Sequence, residues 1–147
     1  MDASTPLFVY GTLRSAEIRA SVLGHETEAI AATARGHRVV FYPGRTYPAL
    51  IAALGHSADG ALLVATTPED LALLDVFEGN EYERRSLKVR VDGKLRPAQV
   101  YWPLATIAAD AAEWRFEDWR ARHGASMVAA EGAAALREQL IAEGSGP

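Results

Sequence analysis

The residue best placed for acid–base chemistry in this 147-residue sequence is a glutamate near its middle, Glu78. Glu78 follows Leu71 and Leu74 at the spacing i, i+3 and i+7, so the three side chains share one face of a predicted helix. Because the leucines face the core, we expect Glu78 to point inward, where lost hydration and the negative end of the helix dipole raise its pKa. A carboxyl group with a raised pKa suits a general acid or base near neutral pH. Asp75, three residues earlier, is expected either to add a like charge or to orient Glu78 through a hydrogen bond.

An alternative interpretation of the same spacing leaves Glu78 in solvent at the end of the helix. Its carboxylate would then pair with Arg84 or Arg85, since glutamate is seldom fully buried. Glu81 and Glu83 lie nearer the following loop, and we expect both to be solvated. Periodicity alone leaves the two interpretations of Glu78 open.

A second candidate feature is the loop that ends the predicted strand Leu7–Tyr10. A loop that leaves a strand as Gly11 and Thr12 do can turn several backbone N–H groups to one side and hold an anion such as a carboxylate. Gly11 also permits a positive φ and the close approach of a ligand. The alternative is an ordinary connection to the next helix, which Thr12 or Ser15 would cap.

Two predicted helices must position these features. The better marked one has Thr67 as its N-cap, Pro68 at the first helical position and acidic residues in its first turn. It is predicted to run to about Glu78, with Gly79 as its C-terminal stop. A shorter helix over Ala16–Leu23 follows the Gly-Thr loop and is closed by the next glycine.

The middle of the chain predicts a sheet. Leu87, Val89 and Val91 alternate with basic residues, so one face of that strand is buried and the other is solvated. Asp92-Gly93 is typical of a hairpin turn. The other predicted strands are Ala29–Ala34 and His37–Tyr42, which flank a turn at Arg35-Gly36, then Ala49–Ala53, Ala61–Thr66 and the return strand Pro97–Trp102.

Together these elements predict one α+β domain over residues 1–147, rich in strands in the middle and with helices at its edges. From about residue 105 the sequence becomes rich in alanine and predicts a helical C-terminal extension. Trp114, Phe116 and Trp119 are its packing residues. The two tryptophans are also candidates for the interface of a homodimer.

Composition excludes several classes of function. Fifteen basic and nineteen acidic residues give a net charge of −4, without the basic stripe that a nucleic-acid site needs. The sequence has no cysteine, and its four histidines lack the spacing of metal ligands, so we expect neither a thiol nucleophile nor a metal site. No apolar run approaches the roughly 20 residues that span a bilayer, and the N-terminus has no signal-peptide core. We therefore expect a cytoplasmic protein that acts on neither nucleic acid nor membranes.

Four segments carry a more specific pattern, in the order Tyr10-Gly11-Thr12-Leu13-Arg14, Tyr47-Pro48-Ala49-Leu50, Asp59-Gly60-Ala61-Leu62 and Leu74-Asp75-x-x-Glu78-Gly79-x-x-Tyr82-x-Arg84. Together they resemble the gamma-glutamylcyclotransferase-like superfamily, in particular its AIG2-like branch, which includes the gamma-glutamylamine cyclotransferases. The resemblance covers about residues 7–102 and leaves out the Ala-rich C-terminal third. It implies an α+β fold with a small mixed β-barrel flanked by helices.

The resemblance also implies roles for individual residues. Glu78 matches the family's catalytic acid/base, and Tyr82 matches a tyrosine near that glutamate. The backbone amides of Gly11, Thr12 and Leu13 match the loop that binds the substrate's α-carboxylate, in a cavity lined by Tyr10. The loop amides and the Glu78 carboxyl are then expected to face one cavity.

The implied reaction is intramolecular aminolysis, which releases 5-oxoproline from a γ-glutamyl amine or γ-glutamyl amino acid and requires no cofactor. Two rival functions remain open. One is a binding domain that recognises a small acidic or γ-glutamyl ligand without turnover, and the other is a hydrolase of a related amide.

Overall fold

A five-stranded sheet forms the centre of the computed structural model, which describes residues 5–124. Helices α1 (Ala16–Leu23) and α2 (Pro68–Glu78) pack together against its outer surface. The strands are β1 (Thr5–Val9), β2 (Ala29–Phe41), β3 (Pro48–Thr66), β4 (Tyr82–Val91) and β5 (Lys94–Pro103). The shorter elements are 3-10 turns at Thr12–Arg14 and Gly79–Glu81, helix α3 (Phe116–Trp119) and a π-turn at Arg120–Gly124.

The strands are hydrogen-bonded in the order β1-β3-β2-β4-β5, and β5 pairs in parallel with β1 to close the ring. The other ladders are antiparallel. Closure is slight on one side, where the single pair Thr33 and Arg90 joins β2 to β4, so the sheet is strongly curved rather than evenly barrel-shaped. The expected α+β fold, a small mixed barrel flanked by helices, is confirmed in this form.

Side chains of β1 alternate between two cores, as the period of a strand requires. Leu7 and Val9 face outward and pack with α1 and α2, whereas Phe8 and Tyr10 face the interior of the ring. Strand β1 ends at Val9, and Tyr10 leads from it into the Gly-Thr loop.

Both predicted helices have the expected ends. Thr67 and Asp70 form a reciprocal capping box, with backbone-to-side-chain distances of 3.1 and 3.2 Å. Gly79 follows α2 with a φ of 77°, and Gly24 ends α1 in the left-handed conformation. Within residues 5–124, no helix combines the length and the apolar composition needed to cross a bilayer.

Two predicted strand breaks are wrong. Arg35-Gly36 is not a turn, because β2 continues through it with a register shift opposite β3 and a φ of 78° at Gly36. A bulge absorbs the positive φ without ending the strand. The predicted strands Ala49–Ala53 and Ala61–Thr66 are likewise parts of one strand, the 19-residue β3.

Gly60 lies in β3 directly against β1. A Cβ atom at this position would stand 2.4 Å from the Val9 carbonyl oxygen and 2.7 Å from the Phe8 ring. No side chain fits such a distance, so glycine is required for the close approach of the two backbones. The Asp-Gly segment of the sequence pattern therefore sets the position of the end of β1.

The predicted helix from about residue 105 is wrong over residues 105–115, which are not helical. Phe41 donates its backbone N–H to Ala112 at 3.0 Å, and Trp114 donates its own to Val39 at 3.1 Å. Since β4 pairs with β2 only at Thr33, this edge of β2 is available for the extended segment. The rest of the predicted extension, from residue 125, lies outside the described residues.

A pH-sensitive contact joins the loop after α1 to the first turn of α2. His25 Nε2 lies 2.7 Å from Asp70 Oδ1, and this hydrogen bond raises the pKa of His25 above its usual value. The stability that the pair contributes is complete below the unfolded-state pKa of about 6.5 and is lost as the pH rises through the folded-state pKa.

We expect His25→Ala to lower the melting temperature more at about pH 5.5 than at about pH 9. Equal losses at the two pH values would contradict a stabilising contact between His25 and Asp70.

Candidate active site

Glu78 is buried at the C-terminal end of α2, with 3% of its surface exposed. Leu71 and Leu74 are buried on the same face, so the predicted inward orientation is confirmed. The alternative in which Glu78 reaches solvent is wrong, since Arg84 pairs with Asp75 and Arg85 pairs with Glu83. Neither carboxyl oxygen of Glu78 has a hydrogen-bond partner among the described residues.

The environment of Glu78 favours its neutral form. Burial raises the pKa of this carboxyl well above its usual value, and the negative charge of Asp75 raises it further. Of the two roles considered for Asp75, the like charge is therefore the one that applies, and no hydrogen bond joins the two carboxyls. Once ionised, a carboxyl with a raised pKa is a stronger base than an ordinary carboxylate, which suits proton transfer near neutral pH.

Three buried tyrosines, Tyr10, Tyr82 and Tyr101, interact electrostatically with this carboxyl. Its charge contributes to the raised pKa of each, after the larger effect of burial. Tyr10 donates its hydroxyl to the backbone oxygen of Tyr101 at 2.7 Å, and Tyr82 donates to the backbone oxygen of Pro48 at 2.5 Å. All three tyrosines therefore stay protonated near neutral pH.

Asp75 is held from two sides. Arg84 donates to both of its oxygens, at 2.9 and 3.2 Å, and the Tyr101 hydroxyl donates at 2.7 Å. A further bond of 2.6 Å joins Arg84 to Gln99. These side chains line a cavity of about 430 Å³ beside Gly79, the residue that follows Glu78.

The turn after Glu78 is anchored by tyrosines of a different segment. Tyr47 donates its hydroxyl to the Glu81 carboxylate, and Tyr42 donates to the Glu81 backbone oxygen at 3.2 Å. The rings of Tyr42 and Tyr82 lie 5.4 Å apart, centroid to centroid. From the sequence, Glu81 is predicted to be solvated. This prediction is wrong, because Glu81 is half-buried and accepts these bonds.

The Gly-Thr loop forms a tight 3-10 turn. Arg14 donates its backbone N–H to the Gly11 oxygen and Ser15 donates to the Thr12 oxygen, both at 3.0 Å. Of the two candidate caps for α1, Ser15 is the residue that caps it, accepting from the amide of Ile18. Gly11 has a φ of −120° and does not use the positive φ that glycine permits.

Tyr10 connects the Gly-Thr loop with Glu78 among the described residues. It precedes Gly11 in the chain, and it interacts electrostatically with Glu78 in the interior. Tyr10 also lines a second cavity, of about 260 Å³, together with Arg14 and Asp59. Neither cavity is lined by Glu78 or by Gly11, Thr12 and Leu13, so a single cavity shared by loop and carboxyl stays a prediction.

Tyr101 is a site residue that sequence reasoning missed. The two-residue Asp92-Gly93 turn fixes the register of β4 and β5, and this register puts Tyr101 opposite Arg84. The hairpin signal is therefore sufficient to place Tyr101 opposite Arg84. Trp114, a candidate for a dimer interface, is instead buried within its own chain and donates its indole N–H to Thr46.

Substitutions of Asp75 and of Arg84 are expected to shift the pKa of Glu78 in opposite directions. Asp75→Asn removes a negative charge next to Glu78, so we expect the pKa of Glu78 to fall. Arg84→Gln leaves Asp75 without its compensating cation, so we expect the pKa of Glu78 to rise. Carbon-13 NMR of the glutamate carboxyls as a function of pH measures both shifts, and a shift of the same sign in both variants would contradict this electrostatic account.

The fold is similar to that of several solved structures. A solved gamma-glutamyl cyclotransferase superposes with a TM-score of 0.59 at 19% identity, over 68% of this chain and 66% of its own, a likeness of fold alone. A solution structure from Arabidopsis thaliana superposes with a TM-score of 0.68 at 26% identity, over 86% of this chain and 87% of its own.

Sequence similarity narrows the assignment. Residues 7–121 match the family described as "Gamma-glutamyl cyclotransferase, AIG2-like". "AIG2-like protein B" of Arabidopsis thaliana is 32% identical over 127 residues, 84% of this chain and 74% of its own length. The chain therefore belongs to the gamma-glutamyl cyclotransferase, AIG2-like family, and the resemblance inferred from its motifs is confirmed.

Proposed function

We propose that this protein releases 5-oxoproline from a γ-glutamyl amine or γ-glutamyl amino acid. The observation that carries the proposal is the Glu78 carboxyl, which is buried, has no hydrogen-bond partner among the described residues and has a raised pKa. An unpaired buried polar group is costly to a fold. A substrate amine that donates to Glu78 would offset this cost and would be aligned by the same contact.

Positioning is the first contribution to the reaction. The amides of Gly11, Thr12 and Leu13 bind the substrate's α-carboxylate, so the γ-glutamyl chain folds back and its α-amine approaches its own γ-carbonyl. An attack within one oriented molecule can lower the barrier by several kcal/mol, about 7–11 at best. The tight turn at Thr12–Arg14 supports this role because it holds the loop in one conformation.

Proton transfer is the second contribution. Glu78 as carboxylate takes a proton from the α-amine while the amine nitrogen bonds to the γ-carbon. The resulting acid returns the proton to the nitrogen of the leaving group, and the original amide bond breaks. The products are 5-oxoproline and a free amine, and Glu78 ends as the carboxylate with which it began. General acid–base catalysis of this kind contributes about 10²–10⁴-fold.

The leaving amine departs from the γ-carbonyl carbon. In the 5-oxoproline ring this carbon and the carbon that carries the carboxylate lie on opposite sides of the ring nitrogen. The polar cavity is lined by Gly79, the residue that follows Glu78, and by Tyr82. It is also lined by Asp75 and by Arg84, which donates to Asp75. Its size of about 430 Å³ is sufficient for an amino acid or a short amine. Both substrate classes therefore remain within the proposal.

The test is a screen of γ-glutamyl amino acids and γ-glutamyl amines, with the products identified by mass spectrometry. We expect 5-oxoproline and the free amine in equal amounts. Release of free glutamate would instead identify a hydrolase. Saturable binding of a γ-glutamyl compound with no product from any member of the panel would identify a binding domain, and either result would overturn the proposal.

A further inference from the structure

Arg19 of α1 is a buried cation to which the proposed reaction assigns no part. Only 5% of its surface is exposed, and it forms no salt bridge within residues 5–124. Burying a charge is costly unless hydrogen bonds compensate it. The hydrogen bonds of its guanidinium must therefore compensate the cost of burying Arg19.

The guanidinium holds the end of the Gly-Thr loop. Its Nη1 donates to the backbone oxygens of Leu13 at 2.8 Å and of Arg14 at 3.0 Å. Its Nε donates to the Thr27 hydroxyl at 3.0 Å, on the segment that leads into β2. The three bonds fix two consecutive peptide groups of the turn relative to both α1 and the sheet.

We propose that Arg19 is a positioning residue, which holds the Thr12–Arg14 turn in the conformation that binds the substrate's carboxylate. The inference rests on the proposed function, in which the amides of Gly11 to Leu13 bind that carboxylate. Each peptide group is planar, so fixing the Leu13 and Arg14 oxygens fixes the N–H groups of Arg14 and Ser15. These donate to the Gly11 and Thr12 oxygens at 3.0 Å, and the peptide planes of those two oxygens carry the Thr12 and Leu13 amides. Arginine suits this task because its planar fork makes several bonds of defined direction, whereas a lysine ammonium is a flexible point charge.

The test compares three variants. Arg19→Met keeps the length and the apolar stem but removes the donors, and Arg19→Lys restores the charge and part of the hydrogen bonding. Val22→Ala, also on α1 and buried, is the control for loss of stability without loss of the clamp. For each variant we measure KM and kcat for a γ-glutamyl substrate, the Kd of 5-oxoproline, and the hydrogen exchange of the Arg14 and Ser15 amides.

We expect Arg19→Met to raise KM and the 5-oxoproline Kd by roughly tenfold, since bonds to a charged group are lost, with a smaller effect on kcat. Exchange of the Arg14 and Ser15 amides should accelerate by a similar factor. Arg19→Lys should recover part of each loss, and Val22→Ala should change none of these values relative to the wild type.

Two results would overturn the inference: a fall in kcat with KM unchanged in Arg19→Met, or turn exchange no faster than in Val22→Ala. Failure of the proposed function is a separate result. If the wild-type protein releases no 5-oxoproline, the exchange rates still decide whether Arg19 holds the turn.

Discussion

Glu78→Gln is expected to abolish the release of 5-oxoproline while the fold is retained. Glutamine has nearly the same shape as glutamate but can neither take nor return a proton. The loss should be at least the roughly 10²–10⁴-fold that general acid–base catalysis contributes. Single-turnover and steady-state assays with the best substrate from the screen measure it.

A second readout of the same variant is independent of turnover. Because the pKa of Glu78 is raised in the folded state, the folded protein holds a proton that the unfolded chain releases above about pH 4.3. The wild-type protein therefore loses stability as the pH rises through the range between the unfolded and folded pKa values. Glutamine has no such titration, so the stability of Glu78→Gln relative to the wild type should increase with pH.

The matched control is Glu69→Gln, the same change at an exposed position in the first turn of the same helix. We expect it to retain full activity and to show no comparable gain of stability at high pH. A Glu78→Gln protein with the wild-type rate would remove the acid–base role. Equal pH dependence of unfolding in both variants would contradict a raised pKa of Glu78 in the folded protein.

The sequence predicts best what is encoded within one or two turns of helix. Thr67, Pro68 and Gly79 bound α2 as expected, because capping and stop signals act through bonds between near neighbours. The inward orientation of Glu78 follows from the same helix, since its spacing from Leu71 and Leu74 is local. This part of the candidate site was therefore open to inference from the sequence alone.

What the sequence predicts poorly depends on distant partners. Gly36 signals a turn locally, but pairing with β3 keeps β2 continuous and turns the glycine into a bulge. The segment around residues 105–115 has alanines that favour a helix, yet hydrogen bonds to the edge of β2 draw it into an extended path. Tertiary hydrogen bonds outweigh the small differences in local propensity in such cases.

The unanticipated members of the site also depend on how separate segments fold together. Arg19 is a basic residue on a helix, where solvation is the usual expectation, and its bonds to the Leu13 and Arg14 oxygens depend on how the nearby loop folds back onto α1. Glu81 was expected in solvent, and Tyr47 from a distant loop makes it an anchor of the turn after Glu78. These tertiary contacts cannot be recognised from a single sequence.

Gly60→Ala is expected to have the largest effect of any change outside the candidate site. Its Cβ would lie 2.4 Å from the Val9 oxygen, so either β1 or β3 must move. Overpacking of this kind typically costs about 1–3 kcal/mol and sometimes more. Because Val9 leads directly into Tyr10 and the Gly-Thr loop, the displacement should also weaken substrate binding and raise KM.

Gly55→Ala is the matched control for this prediction. Gly55 lies in the same strand with a φ of 85°, and its Cβ would have no atom within 4 Å. It should therefore lose about 1–2 kcal/mol from backbone strain alone and leave KM unchanged. Denaturant unfolding and steady-state kinetics separate the two effects: loss of stability in both variants, but a raised KM only in Gly60→Ala. If the two variants had the same KM, the position of the Gly-Thr loop would not depend on the contact between Gly60 and β1.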